Sequence, residues 1–287
     1  MNFTETLSRV HPLHTLRKSS LFRGLTRKFD PVIRWRSPLL ARPIYLRLIS
    51  NASLIADPKH QEDSIRKTFV ALLAALPQAG GVFWDIGANI GLYSWCCAEA
   101  RPDFDVVSFE PDTKNLECLR RTSGAWKLAA HDIVPCAVAE EVGRTTFYTD
   151  EISRATGTLE PAAGAFNATH YGAVPSGVEV ETVSLDHLIA EGWAPPLIVK
   201  IDVEGAELRV LRGGRGLLAD RRPILFLEIF GDRPQTFALL EEFGYNCFDS
   251  DRQSDVTAET VNVLAVDQEL DQRLAAVLAG LGYPIAV

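Results

Sequence analysis

Four short apolar runs in this chain end in a carboxylate. They are Val82–Asp85, Val106–Glu110, Ile198–Asp202 and Leu225–Glu228. An ionised carboxylate only accepts hydrogen bonds. Such a group at a strand end suits a cationic ligand centre, a pair of hydroxyls, or a proton to be taken from an attacking hydroxyl. After Asp85 comes Ile86-Gly87-Ala88-Asn89-Ile90-Gly91, and then a helical pattern begins. Strand, glycine turn and helix in that order expose backbone N–H groups to a ligand's polar atoms. Gly87 and Gly91 permit close approach of the backbone. Asn89 stands where a third glycine is common, and Asn tolerates the left-handed region better than other side chains do.

Glu110 follows Gly91 by 19 residues and is stopped by Pro111. An acid at the end of the second strand is placed to hold a ribose diol. The pairing of turn and acid is more specific than either alone, and it leaves two nucleoside cofactors open, a dinucleotide and S-adenosylmethionine. The order Asp-x-Gly-x-Asn-x-Gly departs from the Gly-x-Gly-x-x-Gly form that cradles a pyrophosphate. A Tyr-x-x-x-Lys hydride-site pair is absent from the sequence.

A third motif is Lys200-Ile201-Asp202-Val203-Glu204-Gly205-Ala206-Glu207. Together with Asp85-Ile-Gly-Ala-Asn-Ile-Gly-Leu-Tyr93-Ser94 and Phe109-Glu110-Pro111, it resembles the FkbM family of S-adenosylmethionine-dependent methyltransferases, over about Gly81 to Asp267. The resemblance implies S-adenosylmethionine as cofactor, S-adenosylhomocysteine as product, and a hydroxyl of a sugar or other small molecule as methyl acceptor. It also implies a variable segment, here 143–188, over the active site, with His170, Thr156 and Thr158 as candidate substrate contacts. Related methyltransferases often place an acid at the end of the third strand; this chain has Cys136-Ala137, which points to backbone contact with the adenine at Ala137.

The expected cofactor residues are therefore Asp85 near the sulfonium and amino-acid end, Gly87, Asn89, Gly91, Tyr93 and Ser94 around the turn, Glu110 on the ribose, Ala137 and Asp202. The catalytic candidates are Asp202, Glu204, Glu228 and Lys200. Methyl transfer from a sulfonium asks mainly for proximity and orientation, and an alcohol acceptor also needs its proton accepted. Lys200 and Asp202 share a sheet face by strand alternation. Lys200 is expected to pair with Asp202 or to meet substrate. Glu228 ends a very apolar strand, where an acid is costly unless it is paired or functional. Glu207 is expected to face outward at a helix start. Oxygen ligands are present, but nothing in their spacing requires a metal.

The elements that must position these groups alternate. Strands at 82–86, 105–110, 132–138, 197–202 and 223–229 are followed by helices at 91–100, 112–121, 205–219 and 234–243, with an insertion after the third strand. Two strands, 245–249 and 261–266, close the pattern. A helix over 61–76, with Ile65, Phe69, Leu72, Leu73 and Leu76 on one face, precedes the first strand. The expectation is an α/β, doubly wound, Rossmann-like seven-stranded methyltransferase sheet, mostly parallel with an antiparallel last strand, and an N-terminal helical extension. Functional loops of such a sheet lie at the carboxyl ends of its strands, and the acids fall there.

Net charge is −8 over 287 residues, with a hydrophobic fraction of 47% that is ample for a core. Residues 1–50 hold ten Lys and Arg against Glu5 and Asp30, a balance of +8 that leaves −16 on the rest. The chain divides into a basic extension, 1–60, and a methyltransferase domain, 61–287. Thr15–Phe29 has the pattern of a short basic amphipathic helix, which would suit peripheral contact with an anionic membrane. The many apolar residues of the extension favour packing on its own domain or on a second subunit. The acidic catalytic region argues against a nucleic-acid partner. Five cysteines without Cys-x-x-Cys spacing, no 18-residue apolar run and no signal-peptide pattern point to a reducing cytoplasm.

Overall fold

The computed structural model describes residues 29–56, 63–77, 79–149, 157–160 and 176–285. The proposed helix at 15–29 (save Phe29), Thr156 and His170 lie outside them.

The central sheet has eight strands: β3 (Gly81–Ile86), β4 (Phe104–Phe109), β5 (His131–Val134), β9 (Ile198–Ile201), β10 (Ile224–Glu228), β11 (Tyr245–Asp249), β12 (Ser254–Asp255) and β13 (Asn262–Asp267). Their order is β12-β11-β13-β10-β9-β3-β4-β5. The five from β10 to β5 run parallel, and β13 runs antiparallel to both β10 and β11. The sheet is thus mixed, with an antiparallel last strand as expected. It has eight strands rather than seven because two-residue β12 folds back on β11.

Alternation along the inner strands makes two cores. Phe83, Ile198 and Phe226 face one side, under α2 (Asp63–Ala75) and α3 (Leu92–Ala100). The ring of Phe69 on α2 lies 5.0 Å from Phe83, 5.3 Å from Tyr93 and 5.5 Å from Phe226. Trp84, Ile86, Val199, Ile201, Leu225 and Leu227 face the other side, under α6 (Glu207–Arg212), α7 (Arg215–Asp220) and α8 (Arg233–Glu242). Gly213-Gly214 splits the helix expected over 205–219 into α6 and α7. Strands buried on both faces read as continuous apolar runs, so the polar groups among them, Asp85 and Lys200, stand out.

The strand expected at 132–138 is two strands. Pro135 removes a ladder N–H, β5 ends at Val134, and β6 (Ala137–Val138) joins a separate sheet of order β6-β8-β7. There β7 (Gly143–Thr149) and β8 (Ser176–Val183) pair antiparallel from Gly143↔Thr182 to Thr149↔Ser176. The insertion is therefore a hairpin seated beside the main sheet.

Residues 29–56 pack on the domain itself. β1 (Val32–Trp35) and β2 (Ile44–Arg47) form a hairpin whose Ile44 and Leu46 are fully buried. It is tied to α4 (Thr113–Trp126) by Arg47–Glu117 at 2.5 Å, Tyr45 N–H to Thr122 Oγ1 at 2.9 Å, and Trp126 Nε1 to Pro43 O at 2.8 Å. A short helix, α1 (Ala52–Ala56), follows β2, α5 (Leu185–Ala190) leads toward β9, and α9 (Gln272–Gly280) closes the chain against α2. The extension's apolar residues could not be assigned to strands in advance because four-residue strands carry too little periodicity.

Candidate active site

A solvent-open cleft of about 640 Å³ lies at the carboxyl ends of β3, β4 and β9. Gly87, Asn89, Glu110, Asp202 and Glu204 line it, together with Ala137 on β6. The turn after β3 is bent as its composition requires: Gly87, Asn89 and Gly91 have φ of 75°, 53° and 85°. A Cβ on Gly87 would lie 1.9 Å from the carbonyl oxygen of Asp202. No side chain fits there, so β3's turn and β9's end meet backbone to backbone.

Glu110 is 4% exposed and held by two main-chain donors. Asn89 N–H donates to Oε2 at 2.8 Å and Asp112 N–H to Oε1 at 2.7 Å. Burial pushes its carboxyl up to about 8, against the pull of those N–H groups. Each carboxylate oxygen accepts more than one hydrogen bond, so both retain capacity toward the cleft. Asn89 Oδ1, in the same wall, is buried without a hydrogen-bond partner among the described residues. Asp112 also caps α4, accepting from Lys114 N–H at 2.7 Å and Asn115 N–H at 3.2 Å.

Asp202 sits just past β9. Its Oδ2 accepts from Lys200 Nζ at 2.7 Å, the pair that strand alternation foretold. The Lys200 ammonium also lies 4.7 Å from the centre of the Tyr93 ring. Lys200 is 5% exposed and stands behind Asp202, outside the cleft lining. Glu204 follows in a left-handed conformation, φ 53°.

Several expected contacts lie elsewhere. Asp85 is 1% exposed and absent from the cleft wall. Its Oδ2 accepts from Ser94 Oγ at 2.5 Å and Ser94 N–H at 3.0 Å. Burial raises its carboxyl above the ordinary range, with Lys200 opposing. Ser94 continues to Ser108 Oγ at 2.7 Å, and Ser108 to His131 Nε2 at 2.8 Å. Asp85 and Ser94 thus fasten α3 to the sheet, and neither reaches the cleft. Tyr93 is likewise buried, against Phe69. Gly91 does not line the cleft; a Cβ there would meet Leu119 and Trp95 at 2.6 and 2.8 Å. The helix α2 covers the sheet face rather than the cleft.

Thr158 is 1% exposed, and its hydroxyl donates to Glu204 O at 2.7 Å. It braces the turn instead of facing a substrate. Glu228 ends β10 one strand beyond Asp202, half-buried and outside the cleft lining. Glu207, expected outside, is fully buried. The fold wraps the 202–207 turn inward, and no local pattern announces that.

The segment 143–188, expected over the active site, supplies part of the wall through residues the sequence did not single out: Phe147 and Thr149 of β7, with Gly157 and Leu159, line the cleft together with Glu110, Asn115 and Cys136.

Among the described residues, no three His, Cys, Asp or Glu are grouped to hold a metal ion, and no helix is long and apolar enough to cross a membrane.

The Methyltransferase FkbM domain model matches residues 85–271. The hexuronic acid methyltransferase AglP of Haloferax volcanii is 30% identical over 162 residues, 55% of this chain and 58% of that protein. The 31-O-demethyl-FK506 methyltransferase FkbM of Streptomyces tacrolimicus is 33% identical over 155 residues, 47% of this chain and 59% of that protein. The chain thus spans under two thirds of the length of the curated relatives it matches. Among solved structures, the methyltransferase FkbM of Methylobacillus flagellatus aligns with a TM-score of 0.45 at 17% identity, covering 66% of this chain and 44% of that one. The matched residues contain the glycine turn, Glu110 and the Asp202–Glu207 motif, and the chain belongs to the FkbM family of S-adenosylmethionine-dependent methyltransferases.

Proposed function

We propose that this protein transfers a methyl group from S-adenosylmethionine to a hydroxyl of a sugar or other small molecule, in a domain spanning 61–287. The observation that carries the reading is the shared cleft of Glu110 and Asp202. These acids stand on strands either side of β3, with the bare backbone of Gly87 between them. The strand order from β11 to β5 supports the seven-stranded methyltransferase arrangement, with β12 as an addition.

The residues present fit the cofactor. Glu110 offers remaining acceptor capacity for a ribose diol, and its two main-chain donors fix its orientation. Asn89 Oδ1 is a buried acceptor in want of a donor. The lining at Ala137, Phe147 and Leu159 gives an apolar wall for a nucleobase. When bound, S-adenosylmethionine supplies an electrophilic methyl on a sulfonium with a good leaving group.

The chain supplies the remainder. Lys200 holds Asp202 Oδ2 in a partly buried ion pair, which fixes the direction of the carboxylate. The other oxygen belongs to a side chain 23% exposed at the cleft. From there Asp202 accepts the acceptor hydroxyl's proton, a role worth about 10²–10⁴ in rate. Glu204 lines the same end and orients the acceptor; Glu228 stands at the rim, one strand out. Orientation in the cleft contributes the larger share.

Calorimetric titration with S-adenosylhomocysteine tests the cofactor half. Micromolar binding by the wild type, weakened in Glu110→Ala, is expected; silence toward S-adenosylhomocysteine and S-adenosylmethionine alike would overturn it. Transfer of labelled methyl to a panel of glycosides, uronic acids and hydroxylated macrocycles tests the acceptor half. Labelling confined to carboxylates would overturn the hydroxyl assignment.

A further inference from the structure

The turn Asp202–Gly205 carries both carboxylates of the acceptor end, and its backbone is strained. Glu204 at φ 53° and Gly205 at φ 104° are consecutive residues in the left-handed region. Such residues persist only where the surroundings over-determine them. Four contacts do so here. Asp202 N–H donates to Ile86 O at 3.0 Å. The Asp202 carbonyl lies against Gly87. The Thr158 hydroxyl donates to Glu204 O at 2.7 Å. Gly205 N–H donates to Glu207 Oε1 at 2.7 Å. Three of these are made by main chain or by a hydroxyl. Only the fourth ends on a group that gains and loses a proton.

Glu207 is 0% exposed, and among the described residues its Oε2 has no hydrogen-bond partner. The cations on the elements packed around it are engaged elsewhere. On its own helix Arg209 turns to Glu160 and Arg212 to Gln235. On α7, Arg215 pairs with Glu242. On α8, Arg233 donates to the carbonyls of Ile229 and Ala258. The titratable neighbours on the turn, Asp202 and Glu204, are acids, and the turn after β10 offers the main chain of Phe230. Burial therefore outweighs the Gly205 N–H and moves the carboxyl up to about 7.

We propose that Glu207 is a positioning residue whose ionised carboxylate latches Gly205 N–H, so that one buried proton governs the turn presenting Asp202 and Glu204 to the acceptor. A hydrogen bond to a carboxylate is roughly twice as strong as one to a neutral carbonyl, so protonation slackens the latch. The catalytic consequence rests on the methyltransferase reading; the latch itself does not.

The full chain contains two Glu-Gly pairs, Glu191-Gly192 and Glu204-Gly205. Labelling with carbonyl-13C glutamate and 15N glycine therefore isolates two amide signals. Between pH 5.5 and 8.5 the Gly205 signal is expected to titrate in one step near neutrality, with amide exchange protection falling about tenfold on the acid side. Glu207→Gln, of equal size and still an acceptor, is expected to remove the step and leave the Gly192 signal untouched. S-adenosylhomocysteine affinity is measured on the same samples; because Glu110 titrates near 8 in both proteins, the latch is read as a several-fold larger loss on the acid side in the wild type than in Glu207→Gln. A Gly205 signal that does not titrate, or a step that survives in Glu207→Gln, would overturn the proposal. Failure of S-adenosylhomocysteine to bind at any pH would overturn the cofactor reading instead, since the amide titration does not depend on it.

Discussion

The α-carbon of Gly87 faces the carbonyl oxygen of Asp202 so closely that a Cβ would lie 1.9 Å from it. The first motif and the last, 115 residues apart in sequence, thereby share one backbone contact. Gly87→Ala would add a clash with main chain to the strain of a side chain at φ 75°. The expected outcome is destabilisation well above 1 kcal/mol, roughly, with loss of S-adenosylhomocysteine binding. Thermal melts alongside calorimetry check it; a variant that melts and binds like the wild type would contradict the packing described.

Glu110 accepts from two main-chain donors, Asn89 and Asp112 N–H. Glu110→Ala removes an acceptor and leaves Asn89 and Asp112 N–H groups unanswered. A hydrogen bond to a charged group is worth about 1.5–3 kcal/mol, so above pH 8, where the Glu110 carboxyl is ionised, affinity for S-adenosylhomocysteine should fall about ten- to hundredfold. Calorimetry reads it directly.

Asp85 is expected to behave differently. Its carboxylate serves Ser94 at the start of α3 and does not touch the cleft. Asp85→Ala leaves a buried hydroxyl and N–H without their acceptor, at a cost of about 1–3 kcal/mol. Denaturant unfolding should show this loss, while affinity measured on the folded fraction changes little. The reverse pattern would restore Asp85 to the cofactor.

Asp202→Asn keeps the shape and removes the base. Methyl transfer to a hydroxyl should fall about 10²–10⁴-fold with the cofactor affinity kept within a few-fold. Single-turnover transfer with a labelled methyl separates the two.

Stability should depend on pH through Glu207 with an inverted sign. Its folded-state value, about 7, lies above the ordinary 4.5. Between these values the unfolded chain has lost the proton and the folded one retains it, so this group's contribution declines as pH rises from about 4.5 to 7. The ionised group then costs on the order of 3 kcal/mol. His131 acts oppositely: burial lowers it from 6.5 to about 4, so its contribution is lost as pH falls through that window. Melting temperatures of wild type and Glu207→Gln are expected to converge near pH 4.5 and to separate above pH 7, the variant being the more stable. A constant difference across that range would contradict the assignment.

Much of the site was legible in the chain because it is local. Gly87, Asn89 and Gly91 read as a left-handed turn from residue type alone, since sterics bar most side chains from that region. Lys200 and Asp202 read as partners because strand residues two apart share a face. Periodicity likewise located the inner strands, whose double-sided burial leaves uninterrupted apolar runs.

What the tertiary structure decided is direction and depth. Which acids open to the cleft and which lie sealed beneath it depends on the elements stacked above, and these come from distant sequence. Asp85 is closed off by α3, Glu207 is folded under its own turn, and Thr158 is spent on Glu204. Phe147 and Leu159 reach the cleft only because β6 leaves the main sheet at Pro135 and draws the hairpin across. A carboxylate's chemistry is written in its residue type. Its solvation, and with it its proton affinity and its role, is set by neighbours that only the folded chain brings together.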